Sequence, residues 1–463
     1  MGCENVSYTE SSAPEDDSKN IYETLDEELP NLEQSGVDIK KQSFTIVTDK
    51  KAVFYNEESA SGSISKAVEK RNTFLFDKYG AELRVNEVTA SDLTSALKAA
   101  LESGLTYCDM ISVSAKETVK LFTAGLLGDM NKLPDFSLEN VYFDTENAQN
   151  LATNNSLYLL ADPTAQIYEE TYVMFFNRDL VETKAGMSPE TLVMQGKWTW
   201  DSFNEVARAA APDVYNKSTA DLTIDTFGFA AYYNEDTMPI VMWTGTGYET
   251  VSNTHKNPVS LTMSIDEVKT VATLLKKAYD QKGRYPLEGD DAATVFKSGR
   301  MAFFVNKFNY FYSLRNEDSG YNFGFLPIPK LNEEQNGYHC LVSSDARVIS
   351  IPKFIENAPE ERQRFISAVI SATCAAGRQT VKTAFINDHI GLYLTDNEET
   401  VMLQTICESA TFDFAAVYGS AISEIRRPTT TAICDYIEFG SALSTSIGRN
   451  VAAFEKYCAE KFK

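Results

Sequence analysis

Apolar residues along the chain alternate between the spacing of strands and that of helices from residue 44 onwards. Residues 63–79 and 91–103 repeat apolar positions every three to four residues and end at Gly80 and Gly104, which predicts two helices. Ser91 is the expected N-cap of the second helix. Short runs rich in β-forming residues predict three strands around these helices: 44–49, 83–88 and 110–113. This alternation indicates a parallel sheet with helices on both faces, in which ligands bind at the carboxyl ends of the strands.

A second block of alternating elements begins with the apolar run 172–176 and includes a predicted strand at 227–232. Three helix starts in it are marked by capping residues: Ser188 before Pro189, Thr199 before Trp200, and Ser264 with Glu267 three residues later. The chain then gives another strand, 347–351, and an almost wholly helical pattern over 358–462. This order predicts that a first lobe is interrupted by a second lobe and is completed when the chain returns.

Composition narrows the class of protein. The 463 residues are 43% hydrophobic and 23% charged, which is typical of an ordered protein of two to four domains. A formal charge of -24 would repel a phosphate polyanion, so nucleic acid is not an expected partner. No apolar run approaches the roughly 18–20 residues that a membrane-spanning helix needs.

The first residues of the chain have the composition of a flexible tether. Between Glu4 and Asp38 there are eleven acidic residues and one basic residue, Lys19, so like-charge repulsion opposes packing. We therefore expect residues 1–42 to form an acidic, disordered tether. Cys3 precedes it, as in a processed bacterial lipoprotein, and is the predicted lipid anchor. Val6 stands where a myristoylation motif needs Ser or Thr, which argues against that modification.

Residues able to bind metal or to act as nucleophiles are sparse. The three histidines, His255, His339 and His389, are isolated in sequence, and the remaining six cysteines contain no Cys-x-x-Cys pair. Neither a metal site nor a cofactor site is predicted, and Gly245-Thr246-Gly247 lacks the lysine of a phosphate loop. Three disulfides and buried free thiols both remain open for these cysteines.

Three segments resemble a known family in the order in which they occur. They are Phe-Phe-Asn-Arg-Asp-Leu at 175–180, Trp-Thr-Trp-Asp-Ser-Phe at 198–203, and Phe-Lys-Ser-Gly-Arg-Met-Ala at 296–302, in which Met and Ala are exchanged relative to the family pattern. Together with the acidic tail and Cys3, they make the chain similar to the extracellular solute-binding proteins of ABC importers. Within that family they resemble the sugar-binding group that includes maltose-binding protein.

The resemblance implies an α/β, two-lobe clamp of the periplasmic-binding-protein type. Each lobe is expected to be a largely parallel sheet flanked by helices, with a helical C-terminal region. Lobe 1 would comprise residues 43–172 and 328–463, and lobe 2 residues 173–327. Hinge closure would trap a carbohydrate, which an ABC permease then receives. The resemblance further implies a monomer at the extracellular membrane face, with membrane contact only through lipidated Cys3.

A sugar site needs polar side chains for hydroxyl groups and an aromatic face for stacking. Asp49 and Lys50 follow the first strand, where the family commonly contacts ligand, although they also suit a simple turn. Trp243, flanked by glycines, is the expected stacking residue, whereas Trp198 and Trp200 are expected to be structural. The remaining candidates lie near the crossovers or late in the chain: Tyr168, Glu169, Ser344, Asp345 and Arg426.

Two other functional classes stay open on the sequence alone. Among 66 carboxylates some pair always has a workable separation, so a carbohydrate-active hydrolase is one alternative. A surface-anchored interaction protein without a closing cleft is the other. Saturable binding without turnover would favour the clamp, and compaction on ligand addition would exclude the simple interaction protein.

Overall fold

The structure is a computed structural model. It describes residues 29–32, 41–54, 62–161, 166–186, 188–216, 218–231, 237–252, 259–279, 290–316, 322–394, 397–433 and 443–461. The strands are β1 (Gln42–Thr48), β2 (Ala81–Glu87), β3 (Met110–Ser114), β4 (Leu127–Gly128), β5 (Leu160–Ala161), β6 (Tyr172–Asn177), β7 (Phe227–Ala231), β8 (Val251–Ser252), β9 (Ser260–Leu261), β10 (Met301–Lys307), β11 (Phe323–Leu326), β12 (Cys340–Leu341), β13 (Arg347–Pro352) and β14 (Ala410–Thr411).

Helices occupy most of the remaining described chain. They are α1 (Ser63–Tyr79), α2 (Ala90–Ser103), α3 (Ala115–Thr123), α4 (Thr145–Leu151), α5 (Gln166–Glu169), α6 (Arg178–Leu180), α7 (Pro189–Met194), α8 (Trp200–Ala210), α9 (Pro212–Asn216), α10 (Met238–Gly245), α11 (Ile265–Tyr279), α12 (Asp290–Lys297), α13 (Tyr310–Asn316), α14 (Glu360–Gly377), α15 (Asn397–Ser409), α16 (Phe414–Tyr418), α17 (Ser423–Arg426) and α18 (Leu443–Lys461). None of the described helices is both long and apolar enough to span a membrane.

The first sheet has the strand order β2-β1-β3-β13-β4, with β5 also paired to β13. Strand β1 is parallel to β2 and β3, so the carboxyl ends of these strands meet at one edge, near Thr48 and Ser114. Strand β13 runs antiparallel to β3, β4 and β5. The first sheet is therefore built from strands that precede the second sheet in the sequence and from β13, which follows it. The exact lobe boundaries given above stay a prediction.

The second sheet has the order β11-β6-β10-β7. Strand β10 is parallel to β7 but antiparallel to β6, and β11 is also antiparallel to β6. Both sheets are therefore mixed, and less parallel than the sequence led us to expect. The physical reason is the route of the chain: a strand that enters or leaves a lobe at a crossover runs against the strands that the βα units build.

Local sequence explains most helix ends. Gly80 and Gly104 adopt left-handed φ angles of 63° and 70°, and they end α1 and α2 as predicted. The N-cap of α2 is Thr89 rather than Ser91, because Thr89 is the last extended residue and its hydroxyl accepts from the Asp92 amide at 3.3 Å. The predicted caps are confirmed at three other helices: Ser188, Thr199 and Ser264.

A short part of the predicted tether packs against the first lobe. Leu29 and Leu32 are buried within the cluster that contains Phe74, Tyr79 and Ala81. The acidic composition around them led us to expect no packing, but two leucines three positions apart supply a local apolar face. Cys3 lies outside the described residues.

The described cysteines are buried free thiols: Cys108, Cys340, Cys374, Cys407 and Cys458. Burial raises the pKa of Cys340 to about 11, so this thiol stays protonated and unreactive at neutral pH. Cys434 lies outside the described residues.

Candidate functional site

A cavity of about 430 Å³ lies where the chain crosses between the two sheets. We call it the cleft. Its polar lining includes Lys116, Tyr172, Thr237, Asp345, Ser420 and Arg426. Lys116 stands in the first turn of α3, directly after β3, and Tyr172 opens β6. The cleft therefore lies at the carboxyl end of a first-sheet strand and also receives residues from the segment 173–327.

Three of the predicted ligand residues line the cleft: Ser344, Asp345 and Arg426. Ser344 and Asp345 belong to the turn that returns the chain to β13, where the Lys116 amide donates to the Ser344 carbonyl oxygen at 3.0 Å. Arg426 is the last residue of α17. The structure thus brings together side chains that are far apart in the sequence, as the sequence hypothesis requires.

Asp49 and Lys50 do not line the cleft. Asp49 instead accepts an ion-paired hydrogen bond from Arg347, the first residue of β13. Arg347 also donates to Gln166 at 2.9 Å and to the Ser112 carbonyl oxygen at 3.0 Å, so it fastens the ends of β1 and β3 to the first crossover. Lys50 is exposed, with its amide bonded to the Thr48 hydroxyl at 3.1 Å. A ligand role for this pair stays a prediction.

Tyr168 and Glu169 lie at the first crossover but do not line the cleft. The Tyr168 ring is stacked on Phe385 at a centroid distance of 5.7 Å, with the Lys382 ammonium 5.2 Å from its centre. Glu169 accepts a hydrogen bond of 2.7 Å from the Tyr312 hydroxyl. Both contacts join the crossover to neighbouring helices, and a direct ligand contact by either residue stays a prediction.

Tyr168 lines a second cavity of about 590 Å³, together with Tyr142, Phe143, Arg378 and other residues. This second cavity is larger than the cleft. None of its described lining residues comes from 173–327, whereas Thr237, from that segment, lines the cleft. The cleft is therefore the better candidate for a site that closes around its ligand.

Trp243 is fully buried within α10, a mostly apolar helix in which every residue is buried. Its ring contacts Tyr248 at a centroid distance of 5.4 Å and presents no surface to the cleft in this conformation. Stacking of a sugar on Trp243 stays a prediction that would require this ring to become exposed. Trp198 and Trp200 are also buried, which confirms their expected structural role.

Four charged side chains form a connected row of ion pairs, and two of them, Lys116 and Asp345, line the cleft. Lys116 Nζ lies 2.5 Å from Asp345 Oδ1, and Lys307 Nζ lies 2.5 Å from Asp345 Oδ2 and 2.8 Å from Glu170 Oε2. Burial would raise the pKa of Asp345, but the two ammonium groups outweigh it and lower that pKa to about 2. Burial would likewise lower the pKa of Lys307, yet Asp345 and Glu170 raise it above the ordinary lysine value. Asp345 and Lys307 are therefore both charged at neutral pH.

Sequence reasoning missed several cleft residues: Lys116, Tyr172 and Thr237. Lys116 could have been found, because it follows the carboxyl end of a predicted parallel strand, where ligands gather. Thr237 and Lys307 carry no comparable signal, since only the folded chain brings them to the crossovers. Within the residues that the structure describes, no three His, Cys, Asp or Glu side chains are grouped as a metal site.

Comparison with known proteins shows to which protein family the chain belongs. A family profile described as bacterial extracellular solute-binding protein matches residues 67–382, which is more than half of the chain. The chain belongs to this family. No curated protein matches the sequence of this solute-binding protein.

Solved structures share the fold of this solute-binding protein at low sequence identity. The maltose-binding periplasmic protein of Listeria monocytogenes, solved with maltose, is 14% identical with a TM-score of 0.58 over 91% of this chain and 99% of that one. An extracellular solute-binding protein of Staphylococcus aureus, also with maltose, is 13% identical with a TM-score of 0.57 over 91% and 99%. A family 1 extracellular solute-binding protein of Bifidobacterium longum subsp. infantis is 14% identical with a TM-score of 0.57 over 90% and 100%. The predicted two-lobe α/β fold is confirmed, and the family and these neighbours are binding proteins rather than enzymes.

Proposed function

We propose that this protein binds a carbohydrate, and specifically an oligosaccharide, in the cleft and delivers it to the permease of an ABC importer. The observation that carries the proposal is the position of the cleft at the crossovers, where residues of both lobes line one cavity. A ligand that contacts both lobes stabilises the closed conformation. A membrane partner can then recognise that conformation.

The chemistry of the cleft suits a polyhydroxylated ligand. Lys116 and Arg426 offer charged donors, the hydroxyls of Tyr172 and Thr237 both donate and accept, and Asp345 accepts. Its volume of about 430 Å³ falls within the range of small-molecule sites, about 300–1,000 Å³. At 13–14% identity the maltose-bound neighbours establish the fold alone, so we propose the sugar class from this chemistry together with the family.

The membrane location forms part of the same proposal. Cys3 would carry a lipid, and the acidic residues that follow would lead from the membrane to the first lobe. The protein would act as a monomer on the extracellular face and would release its ligand chemically unchanged. The net negative charge of the protein would oppose its self-association at the membrane surface.

Isothermal titration of the full chain with a panel of neutral mono- and oligosaccharides tests the proposal. We expect saturable binding of at least one oligosaccharide, no product after prolonged incubation, and a loss of at least tenfold in affinity for Arg426→Ala. Lys277→Met is the matched control, because Lys277 pairs with Asp201 at an exposed surface site away from the cleft. Product formation would support the hydrolase instead, and absence of binding across the panel would overturn the sugar class.

A further inference from the structure

One carboxylate in the cleft pairs with two lysines, one from the helix after β3 and one from β10 of the second sheet. Asp345 directs Oδ1 to Lys116, in the helix that follows β3 of the first sheet, and Oδ2 to Lys307, the last residue of β10 in the second sheet. The turn that carries Asp345 belongs to the first lobe, since the Ala115 amide donates to the Ala346 carbonyl oxygen at 2.8 Å. The pair of Asp345 and Lys307 therefore spans the crossovers.

A second carboxylate, Glu170 at the first crossover, also binds Lys307. The Lys307 side chain is 21% exposed and bonds Glu170, which also accepts from the Asn309 side chain at 3.1 Å. Lys307 is not among the residues that line the cleft. Asp345 is the cleft residue with which Lys307 forms an ion pair, and Tyr172, its neighbour across β6 and β10, also lies in the field of its charge.

Asp345 keeps capacity for a ligand while both lysines are bound. An ionised carboxylate has about four acceptor sites, and two of them are used by the ammonium groups. The Asp345 side chain is 39% exposed and lines the cleft, so a ligand hydroxyl can donate to the same group that Lys307 holds from the second lobe. We infer that Lys307 is a positioning residue: by fixing Asp345 from the second lobe, it links ligand binding in the cleft to the arrangement of the lobes.

This inference rests on the proposed function and predicts non-additive effects. If Lys307 acts through Asp345, then Lys307→Met and Asp345→Asn each weaken oligosaccharide binding about tenfold, a typical size for coupling between sites. The affinity of the double variant should then equal that of the single variant with the lower affinity, because both substitutions break the same Lys307–Asp345 ion pair. Lys307→Arg keeps the charge and the donors, and it restores affinity to within about threefold of wild type.

The experiment measures two quantities on the full chain for these variants and for the matched control Lys277→Met. Calorimetric titration with the best oligosaccharide of the panel gives the dissociation constant, and small-angle X-ray scattering of the unliganded protein gives the radius of gyration. We expect Lys307→Met and Asp345→Asn to change the unliganded radius of gyration in the same direction. Lys307→Arg and Lys277→Met should match wild type in both measurements. Circular dichroism confirms that each variant is folded.

Two outcomes overturn the inference. A folded Lys307→Met protein with wild-type affinity and scattering would show that Lys307 does not act on the site, and additive losses in the double variant would show that it does not act through Asp345. If the wild-type protein binds no saccharide, the proposed function fails first. The scattering of the unliganded variants then still decides whether Lys307 and Asp345 join the lobes.

Discussion

The Tyr79 hydroxyl donates a hydrogen bond of 2.8 Å to the carbonyl oxygen of Pro30. On either side of Pro30, Leu29 and Leu32 are only 5% and 2% exposed. Tyr79 ends α1, and the Gln42 amide that opens β1 bonds the carbonyl oxygen of the next residue, Gly80. This contact therefore lies at the amino end of the parallel strands, whereas the cleft lies at their carboxyl end. A four-residue segment of the acidic tail is part of the folded lobe.

We predict that Leu32→Ala lowers the free energy of unfolding by about 1–3 kcal/mol. Truncation of a buried leucine costs roughly 2–5 kcal/mol, and the cost is smaller here because a short segment can detach locally from the lobe. Urea denaturation checks the change. The matched control is Leu105→Ala, since Leu105 is 67% exposed and its truncation should cost less than about 0.5 kcal/mol. Equal losses in the two variants would mean that the segment is not docked in solution.

Arg178 is predicted to be essential for stability. Its guanidinium lies 2.5 Å from Glu190 and 3.1 Å from Glu399, and all three side chains are buried. Arg178→Met removes the cation that pairs with these two buried carboxylates, so the free energy of unfolding should fall by about 3–5 kcal/mol. Urea denaturation measures this loss, and Lys269→Met, at an exposed pair with Asp266, is the control. A loss below about 1 kcal/mol would contradict the prediction.

Asp413 should make stability depend on pH. It is buried, and it accepts hydrogen bonds from the Ala416 amide at 2.9 Å and the Thr250 hydroxyl at 3.0 Å. Burial, with a smaller contribution from Glu249, raises the pKa of Asp413 to about 6, against about 3.9 in the unfolded chain. The folded state then binds the proton more tightly, so the stabilising contribution is complete below about pH 4 and is lost as the pH rises through 6.

Comparison with Asp413→Asn isolates that contribution. Because one pH unit of pKa difference corresponds to about 1.4 kcal/mol, wild type should lose up to about 3 kcal/mol relative to the variant between pH 4 and pH 7. Asn retains the ability to cap α16, so the variant is expected to fold. Urea denaturation at four pH values provides the data, and parallel pH profiles for the two proteins would refute the assignment.

The intrinsic fluorescence of the unliganded protein should resist quenching by iodide. All three tryptophans of the chain are at most 1% exposed: Trp198, Trp200 and Trp243. Iodide reaches only surface rings, so its quenching constant should be small. Trp243→Phe should remove one protected emitter and leave that constant unchanged. Strong quenching that disappears in Trp243→Phe would instead place this ring at the cleft surface, as the stacking hypothesis requires.

The fold was more predictable from sequence than the site. Periodicity and terminal glycines predict α1 and α2 well, since a helix end depends on a few neighbouring residues. The cap of α2 was displaced by two residues because Thr89 and Ser91 are both good caps, and local sequence does not rank them. The direction of β13 depends on the path of the whole chain, which local patterns do not contain.

The presence of a candidate residue at the cleft was predictable only where the order of strands and crossovers was enough to locate it. The position of Asp345 in the cleft could be predicted because it follows the return crossover, whereas its pairing with Lys116 and Lys307 could not. Lys307 lies 38 residues from Asp345 in sequence, and only the pairing of β10 with β6 brings it to the crossover. The burial of Trp243 could not be predicted either, since neighbouring glycines suggested an accessible ring, whereas every residue of α10 is buried; its ligand role stays a prediction.

The position of β13 late in the sequence also determines the order in which the two sheets can be completed during folding. Strands β3, β4 and β5 all pair with β13, yet the whole second sheet lies between β5 and β13 in the sequence. A chain that emerges amino end first can complete the second sheet while the edge of β3 is still unpaired. Folding of the first lobe therefore waits for distant contacts, which slow folding and expose strand edges to aggregation. A nascent chain that stops before residue 347 contains every strand of the second sheet but lacks β13 of the first.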